Sequence, residues 1–501
     1  MLQTNIFIDF INALLTPLRQ VLVQLPPEWY GSIPVLTLIV FALIAVIIGL
    51  KFNPWIVSLI GVVLATLEVA ALDPVTYGSS FGGLFVRDAF SDFFIYLILV
   101  VAILVTLSTT QYGGDKGPYN FLFLISFAGA IWVVMATDLV ALFLAWELMS
   151  TPTYILVALG PDRMALDGAT KYFVMGLVST MFMLFGIALV FGVLGTTSIS
   201  ALGAAAAAIW AEPITLASSG YTLLLAMVLF VIAFGFKIGI FPGWMWVPDT
   251  YSTADGSVTA YLAGATKKTG ISALTRILLI GFVVARLDWY GLLVAIAMLT
   301  MVIGNFLALA QKDIMRMLAY SSIAMMGYVF VGLAVSTQTG IMAAFFLAFV
   351  HAIMKAGAFI LIFALSIQLQ KRITYDDLNG LSQRAPLAAA FFGIIIISLA
   401  GIPFTAGFTP KLLIFGSTVE PGVDLWWLGL FAILNVTFSL GYYFRVLRAM
   451  YLRPATDESR ITMPRMPLFI AGVCAILMLV LFWFPTPITN LANAAAALLV
   501  P

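Results

Sequence analysis

Apolar runs of about twenty residues recur along almost the whole chain, and they leave it few ways to fold. A run of that length crosses a hydrocarbon core of ~30 Å. Inside that core no water satisfies backbone N–H and C=O groups, so only helices or closed barrels span it. A membrane barrel needs strands of about ten residues with alternating polarity, whereas the runs here are continuous. The chain therefore reads as an all-α polytopic membrane protein. Its composition agrees: 9% of residues are charged, against roughly 25% in a soluble domain. Spans are predicted at 33–50, 55–72, 90–110, 119–137, 138–159, 170–194, 221–241, 257–285, 289–310, 315–335, 340–368, 386–416, 425–451 and 467–485, about fourteen transmembrane helices. The alanine-rich stretch 203–209 reads as a short connecting helix, and loops 73–89, 195–220 and 452–466 are long enough to be structured.

Composition also excludes function classes. A net charge of +1 gives no sign of nucleic-acid binding. One cysteine, Cys474, holds neither an iron–sulfur cluster nor an internal disulfide. No Gly-rich phosphate or dinucleotide motif stands in a strand–turn–helix setting. No cofactor is therefore expected on this chain, and any redox chemistry belongs to partner chains. The first 25 residues contain Asp9, Pro17 and Arg19 and lack a basic start with a small-residue cleavage site. An interfacial amphipathic segment is expected there, not a removable signal.

Orientation follows from the loops. Those after odd-numbered spans hold Lys51, Lys116, Arg163, Lys312, Arg316, Lys371, Arg372, Arg384, Arg445, Arg448, Arg453, Arg460 and Arg465. The opposite side holds only Arg19, Arg87 and Arg286. Positive residues favour the cytoplasmic side, which places both termini outside in a multi-pass protein of a prokaryotic cell membrane.

Two spans are broken. The seventh meets Phe241-Pro242-Gly243 and continues from Trp244 to Tyr251 with Pro248 inside it; the twelfth contains Gly401-Ile402-Pro403, then Gly407 and Pro410. Irregular backbone at membrane depth survives only where it is buried or lines a wet cavity. Breaks at matching places point to inverted repeats with the site at the break. The expected organisation is 1–118 (amphipathic segment and spans 1–3), 119–285 (first repeat, spans 4–8), 286–451 (second repeat, spans 9–13) and 452–501 (loop and span 14).

Ionisable residues interrupt these runs. A charge at the bilayer centre costs roughly 2.5–3.5 kcal/mol on insertion scales, and such residues usually mark ion or proton pathways. Glu147 lies about nine residues into its span, roughly 14 Å deep at ~1.5 Å per residue. A polar cap or a helix–helix hydrogen bond would explain it, but depth and the availability of buried lysines favour a functional ion pair. Lys237 sits just before the first break, in Phe236-Lys237-Ile238-Gly239; snorkelling fits that depth poorly. Lys267 and Lys268 are adjacent and point about 100° apart, so one of them, Lys267, is expected on the axis. Lys268 is left to pair with a carboxylate or reach a crevice. His351, the only histidine, and Lys355 are four apart and share a face; histidine changes charge nearest neutral pH, although a hydrogen-bonded core histidine is the plain alternative. Lys411 follows the second break. Lys171 either snorkels or closes a path to Glu147. Asp138, Asp249 and Asp255 stand near span ends and are expected to cap helices. Asn305, Ser321 and Ser322 are open to water bridging or to helix–helix hydrogen bonds.

Several of these segments together resemble the antiporter-like membrane subunits of respiratory complex I. They are Trp146-Glu147-Leu148-Met149-Ser150, the stretch from Phe236-Lys237 to Val247-Pro248-Asp249, Ala265-Thr266-Lys267-Lys268, the stretch from Gln311-Lys312-Asp313 to Tyr320-Ser321-Ser322, and Leu399-Ala400-Gly401-Ile402-Pro403 through Phe408 with Lys411. The resemblance covers roughly residues 85–450. Lys171-Tyr172-Phe173 with Gly176 and Ser179, and the thirty-residue gap (267 less 237), are most similar to the N-type member (subunit 2). His351 to Lys355 departs from that type and is similar to the L- and M-type members, which suggests a divergent complex. The resemblance implies a proton-translocating subunit of an NADH, F(420)H(2) or ferredoxin:quinone oxidoreductase. It implies Glu147 paired with Lys237, Lys267 in the middle and Lys411 at the end of a proton path; His351, Lys355 and Lys171 are further relay candidates from their own positions. Flavin, iron–sulfur clusters and quinone are expected on partner subunits. Those partners are neighbouring antiporter-like subunits and small K-, J- and A-type subunits, besides the lipid bilayer. The alternative is a subunit of a multisubunit Na+/H+ antiporter of the Mrp type, which shares the fold without electron transfer. The lack of a dense oxygen-ligand cluster disfavours sodium.

Overall fold

The computed structural model describes residues 13, 15–72, 79–160, 163–210, 218–455, 457 and 459–500. Most of the expected amphipathic segment falls on residues 1–12 and 14, outside the described ones, although residues 15–22 are helical. The chain is helical as the apolar runs require. We label the spanning helices α1 (Ile33–Gly49), α2 (Trp55–Ala71), α3 (Ala89–Ser108), α4 (Lys116–Met135), α5 (Leu139–Ala158), α6 (Arg163–Leu194), α7 (Ser219–Ile238), α8 (256–281), α9 (Arg286–Ala310), α10 (Ile314–Val335), α11 (Gln338–Leu369), α12 (Pro386–Ala400), α13 (Trp426–Leu452) and α14 (Arg465–Trp483). Among the described residues, eleven helices are long and apolar enough to cross a membrane. The remaining three are α2, which is short, and α8 and α12, which are interrupted. The connecting helix expected at 203–209 is Ile199–Trp210.

Both breaks have the same construction. At Ile238 the helix α7 ends on Gly239 in the left-handed region (φ 74°, ψ 42°), whose N–H bonds the carbonyls of Gly235 and Phe236. At Ala400 the helix α12 ends on Gly401 (φ 80°, ψ 38°), whose N–H bonds the carbonyls of Ile397 and Ser398. Glycine holds that conformation without a Cβ penalty, which is why it closes helices. After Pro242 the chain resumes as Trp246–Tyr251, and after Pro403 as Phe408–Ser417. The helix α8 occupies the span predicted at 257–285 and is not α-helical throughout. It contains π turns at Leu262–Thr266 and Ile277–Gly281.

The two sets of five helices repeat in register. The long helices α6 and α11 each have 32 residues. Their starts and their ends are both 175 positions apart (338 less 163; 369 less 194). The same offset links Asp138 to Asp313. Each carboxylate caps its helix, Asp138 through Val140 N and Ala141 N, Asp313 through Arg316 N. Each aspartate also forms an isolated antiparallel bridge to the loop beyond the third helix, to Ser198 and to Thr374. It links Gly129 to Gly304 as well: a Cβ on either would come within 2.4 Å of a backbone nitrogen, that of Met149 or of Ala324. Each unit has an odd number of spans, so the second enters the membrane from the opposite side and the repeat is inverted.

Candidate functional site

Lys237 is fully buried at the end of α7. Its ammonium donates to the Tyr172 hydroxyl and, at 3.4 Å, to Thr153 Oγ1. It also lies over the rings of Tyr172 and Tyr154, at 4.8 and 5.4 Å. Trp246, from the piece beyond the break, stacks on Tyr172 at 4.3 Å and donates its indole N–H to Phe236 O. The lysine therefore sits in an aromatic and hydroxyl cage assembled from α5, α6 and both pieces of the seventh span. A cation held by ring faces and hydroxyls keeps some of the stabilisation it loses on leaving water.

Glu147 is not part of that cage. Its carboxylate accepts from Thr180 Oγ1 at 2.8 Å and Thr151 Oγ1 at 3.5 Å, and it forms no ion pair with Lys237 within 4 Å. Helix geometry explains the difference from the expected direct pair. Thr153, which reaches Lys237, is six residues after Glu147, so the two side chains leave α5 about 120° apart. Glu147 is half-buried on the outward stripe of α5, which also carries Leu144 (61% exposed) and Ile155 (46%).

Lys267 points at the first break. Its Nζ lies 3.0 Å from where a Cβ on Gly239 would stand, and 5.3 Å from the Tyr251 ring centroid. It has no hydrogen-bond partner among the described residues. Lys268 turns the other way. It donates to Ala263 O and meets His351 Nδ1 at 2.9 Å, joining α8 of the first repeat to α11 of the second. One turn further along α11, Lys355 donates to Ser321 Oγ and, at 2.8 Å, to Leu318 O.

Lys411, on the piece after the second break, reaches back to the carbonyls that the break sets free. It donates to Leu399 O at 2.9 Å and Ala400 O at 3.2 Å. A cation at a helix C-terminus is favoured by the helix dipole. The Tyr328 ring lies 5.6 Å beneath it. The Tyr328 hydroxyl continues into a buried polar network through Asn305 Nδ2 at 3.2 Å, whose Oδ1 accepts from Tyr442 at 3.0 Å.

Lys171 is placed otherwise than the path to Glu147 requires. Its side chain is 58% exposed and pairs with Asp249 at 2.7 Å, while Arg316 holds the other Asp249 oxygen at 2.8 Å. Asp249 thus clamps the piece beyond the first break to α6 and α10 and caps nothing. Asp138 and Asp255 do cap their helices, and Asp255 also accepts from Tyr119 Oη at 2.9 Å.

Lys237, Lys267, Lys268, Lys355 and His351 are 0% exposed and Lys411 3%. None of the lysines has a carboxylate within 4 Å among the described residues. All four lysines of α8, α11 and the twelfth span act electrostatically on His351. Reasoning from sequence alone missed the cage residues Thr153 and Tyr172, the Lys268–His351 contact and the Ser321 partner of Lys355. Each of these contacts joins two different helices, and nothing local in the sequence pointed to them.

Residues 136–439 match the family described as NADH:quinone oxidoreductase/Mrp antiporter, TM. The F(420)H(2) dehydrogenase subunit N of Methanosarcina mazei is 35% identical over 93% of this chain and 98% of that protein. An NADH-quinone oxidoreductase subunit N of Trichlorobacter lovleyi is 37% identical over 80% of this chain and 82% of that protein. Among solved structures, a chain of respiratory complex I from Thermus thermophilus superposes with a TM-score of 0.75 at 26% identity, over 92% of this chain and 100% of that one. A buried lysine row between two broken helices, in a chain matched this widely, leads to one conclusion: the chain belongs to the NADH:quinone oxidoreductase/Mrp antiporter transmembrane family.

Proposed function

We propose that the chain is the proton-translocating N-type membrane subunit of a complex I-like oxidoreductase, in which partner subunits transfer electrons from NADH, F(420)H(2) or ferredoxin to a quinone. The observation that carries this reading is the row of five buried lysines and one histidine with no carboxylate in ion-pair reach among the described residues. Unpaired buried charges are costly and like charges repel strongly where the dielectric is low. Such a row therefore holds fewer protons than it has sites, and a proton can be passed along it. Its members are linked by hydroxyls and carbonyls: Lys237 to Tyr172 and Thr153, Lys268 to His351, Lys355 to Ser321, Lys411 to Leu399 and Ala400.

In this mechanism Glu147 is the acidic end of the row and Lys411 the far end, with Lys267 and Lys268 passing charge between the repeats. The chain carries no redox group; flavin, iron–sulfur clusters and quinone sit on partners. The outward stripe of α5 beside Glu147 takes a neighbouring membrane subunit, and both termini face outside. The shared subunit-N names of the two relatives favour this assembly over an Mrp-type antiporter, which the fold alone would equally allow. Purification from native membranes tests the reading. Flavin and iron–sulfur partners should copurify, and Lys237→Ala should abolish proton uptake by proteoliposomes while the assembly stays intact. A chain that purifies only with other antiporter subunits, and drives cation exchange without a reductant, refutes it.

A further inference from the structure

The helices α12 and α13 leave a long groove between them, of about 870 Å³. Ile394 and Ile397 form one wall, and Phe444 and Leu447 the other. At its upper end stand Arg445, Arg448 and Arg453. Arg445 is stacked on the Tyr375 ring at 4.0 Å, which holds its guanidinium in place. Arg453 approaches Asp376 only at 3.8 Å, and that carboxylate is 81% exposed. Arg448 is exposed and has no hydrogen-bond or ion-pair partner among the described residues. Two guanidiniums thus stand at the head of an apolar trough with no anion of the chain's own to bind.

Dimensions select the occupant. From Gly441 to Arg448 the helix advances about 10 Å at ~1.5 Å per residue. One leaflet of a ~30 Å hydrocarbon core is about 15 Å deep, so the trough below the arginines takes the upper part of one acyl chain. A soluble anion would need the arginines and not the trough; a neutral lipid would need the trough and not the arginines. Guanidinium forks match phosphate oxygens, and basic clusters at the cytoplasmic end of spans recognise anionic headgroups. We propose that this groove binds one anionic phospholipid, with its phosphate between Arg445 and Arg448 and an acyl chain between α12 and α13. The lipid would brace α12, the helix that carries the second break, against α13. This inference does not depend on the proton-pumping reading.

The test uses the intact complex extracted in mild detergent, with bound lipid counted by native mass spectrometry. Samples are then exposed to vesicles of phosphatidylcholine with or without phosphatidylglycerol. Wild type should retain one phosphatidylglycerol per chain that the Arg445→Gln/Arg448→Gln double variant lacks, with at least a tenfold loss of affinity. Ile394→Trp, which fills the trough from its α12 wall and leaves both arginines, should lose the lipid as well. Millimolar inorganic phosphate should not displace it. Equal retention in the double variant, equal retention of phosphatidylcholine, or displacement by phosphate alone overturns the proposal. So does efficient cross-linking of Arg448→Cys to a neighbouring subunit in native membranes, which would assign the groove to a protein partner.

Discussion

The two repeats place different chemistry on the same scaffold positions. The 175-residue offset that aligns α6 with α11 also matches Glu147 to Ser322, Thr180 to Lys355, and Thr153 to Tyr328. In the first repeat an acid on the second helix is held by a hydroxyl on the third. In the second repeat the base is on the third helix, held by Ser321, the neighbour of the matching position. Position 153 or 328 meets the lysine of the broken span in both, as a hydroxyl in one case and a ring face in the other. The breaks differ in use as well. Lys411 bonds the carbonyls its break exposes, whereas Lys267 only rests against Gly239. The first repeat carries an acid, Glu147, outside ion-pair reach of Lys237; both repeats hold cations with hydroxyls and rings, and the second adds helix-end carbonyls. Inversion has conserved the geometry and let the charges diverge.

The strongest test removes the lysine heads. Lys237→Ala and Lys411→Ala should each cut proton pumping by the reconstituted complex at least about tenfold, a barrier change of about 1.4 kcal/mol. Normal pumping in either variant would mean the repeats do not share one path. Next come the glycine caps. Gly239→Ala and Gly401→Ala should carry similar left-handed strain, roughly 1–2 kcal/mol. Each methyl would crowd a lysine head, 3.0 Å from Lys267 Nζ and 2.9 Å from Lys411 Nζ, but only the latter lysine has carbonyl bonds to disturb. Pumping per assembled complex should therefore fall severalfold more for Gly401→Ala; equal loss would make the two breaks equivalent.

The link between repeats is smaller but more specific. Lys268→Met and His351→Leu should each slow pumping, and the double variant should be no slower than the worse single one. Side chains in contact usually couple by about 0.5–3 kcal/mol, so strict additivity would show that the 2.9 Å contact carries nothing. Asp138→Ala and Asp313→Ala each remove a helix cap worth about 1 kcal/mol. The former should cost more in thermal stability, because Asp138 also accepts from Thr197 Oγ1 at 2.5 Å.

The smallest effect is in the loop before α12. Burial pushes the Asp377 carboxyl up, but the Lys371 ammonium at 2.5 Å and Thr374 N–H and O–H donors outweigh it and hold it below the usual range. A depressed carboxyl stabilises the fold above its unfolded pKa, and that contribution fades as pH falls through the depressed value. Lys371 is mostly exposed, so Asp377→Asn should cost less than about 1 kcal/mol, and the difference from wild type should shrink in acid.

Much of this was legible beforehand for a physical reason: a span must be apolar over its whole length, and a break at depth needs proline or glycine. Fourteen spans, both breaks and the repeat follow from those two constraints. The lysines were legible as positions and not as contacts. Adjacency forced a choice between Lys267 and Lys268, because only one of them can face a single line; the structure has two destinations, and uses both. Lys171 sits 78 residues from its partner Asp249, a separation that no local pattern bridges. The π turns of α8 leave no trace in hydropathy, since an extra residue in a turn does not change composition.

Those π turns give α8 a role as a fork. A π turn closes i→i+5 instead of i→i+4, so the Leu262–Thr266 turn takes up one more residue than an α-helical turn would. Straightening it without shortening the chain would rotate everything after it by about 100°. Lys267 would leave the first break, and Lys268 would leave His351. Two lysines on one turn are therefore not spares for each other. They are two prongs whose aim is set by a single surplus residue: straightening the turn at its present length would misdirect both at once, whereas deleting one residue within it would leave both aimed as they are.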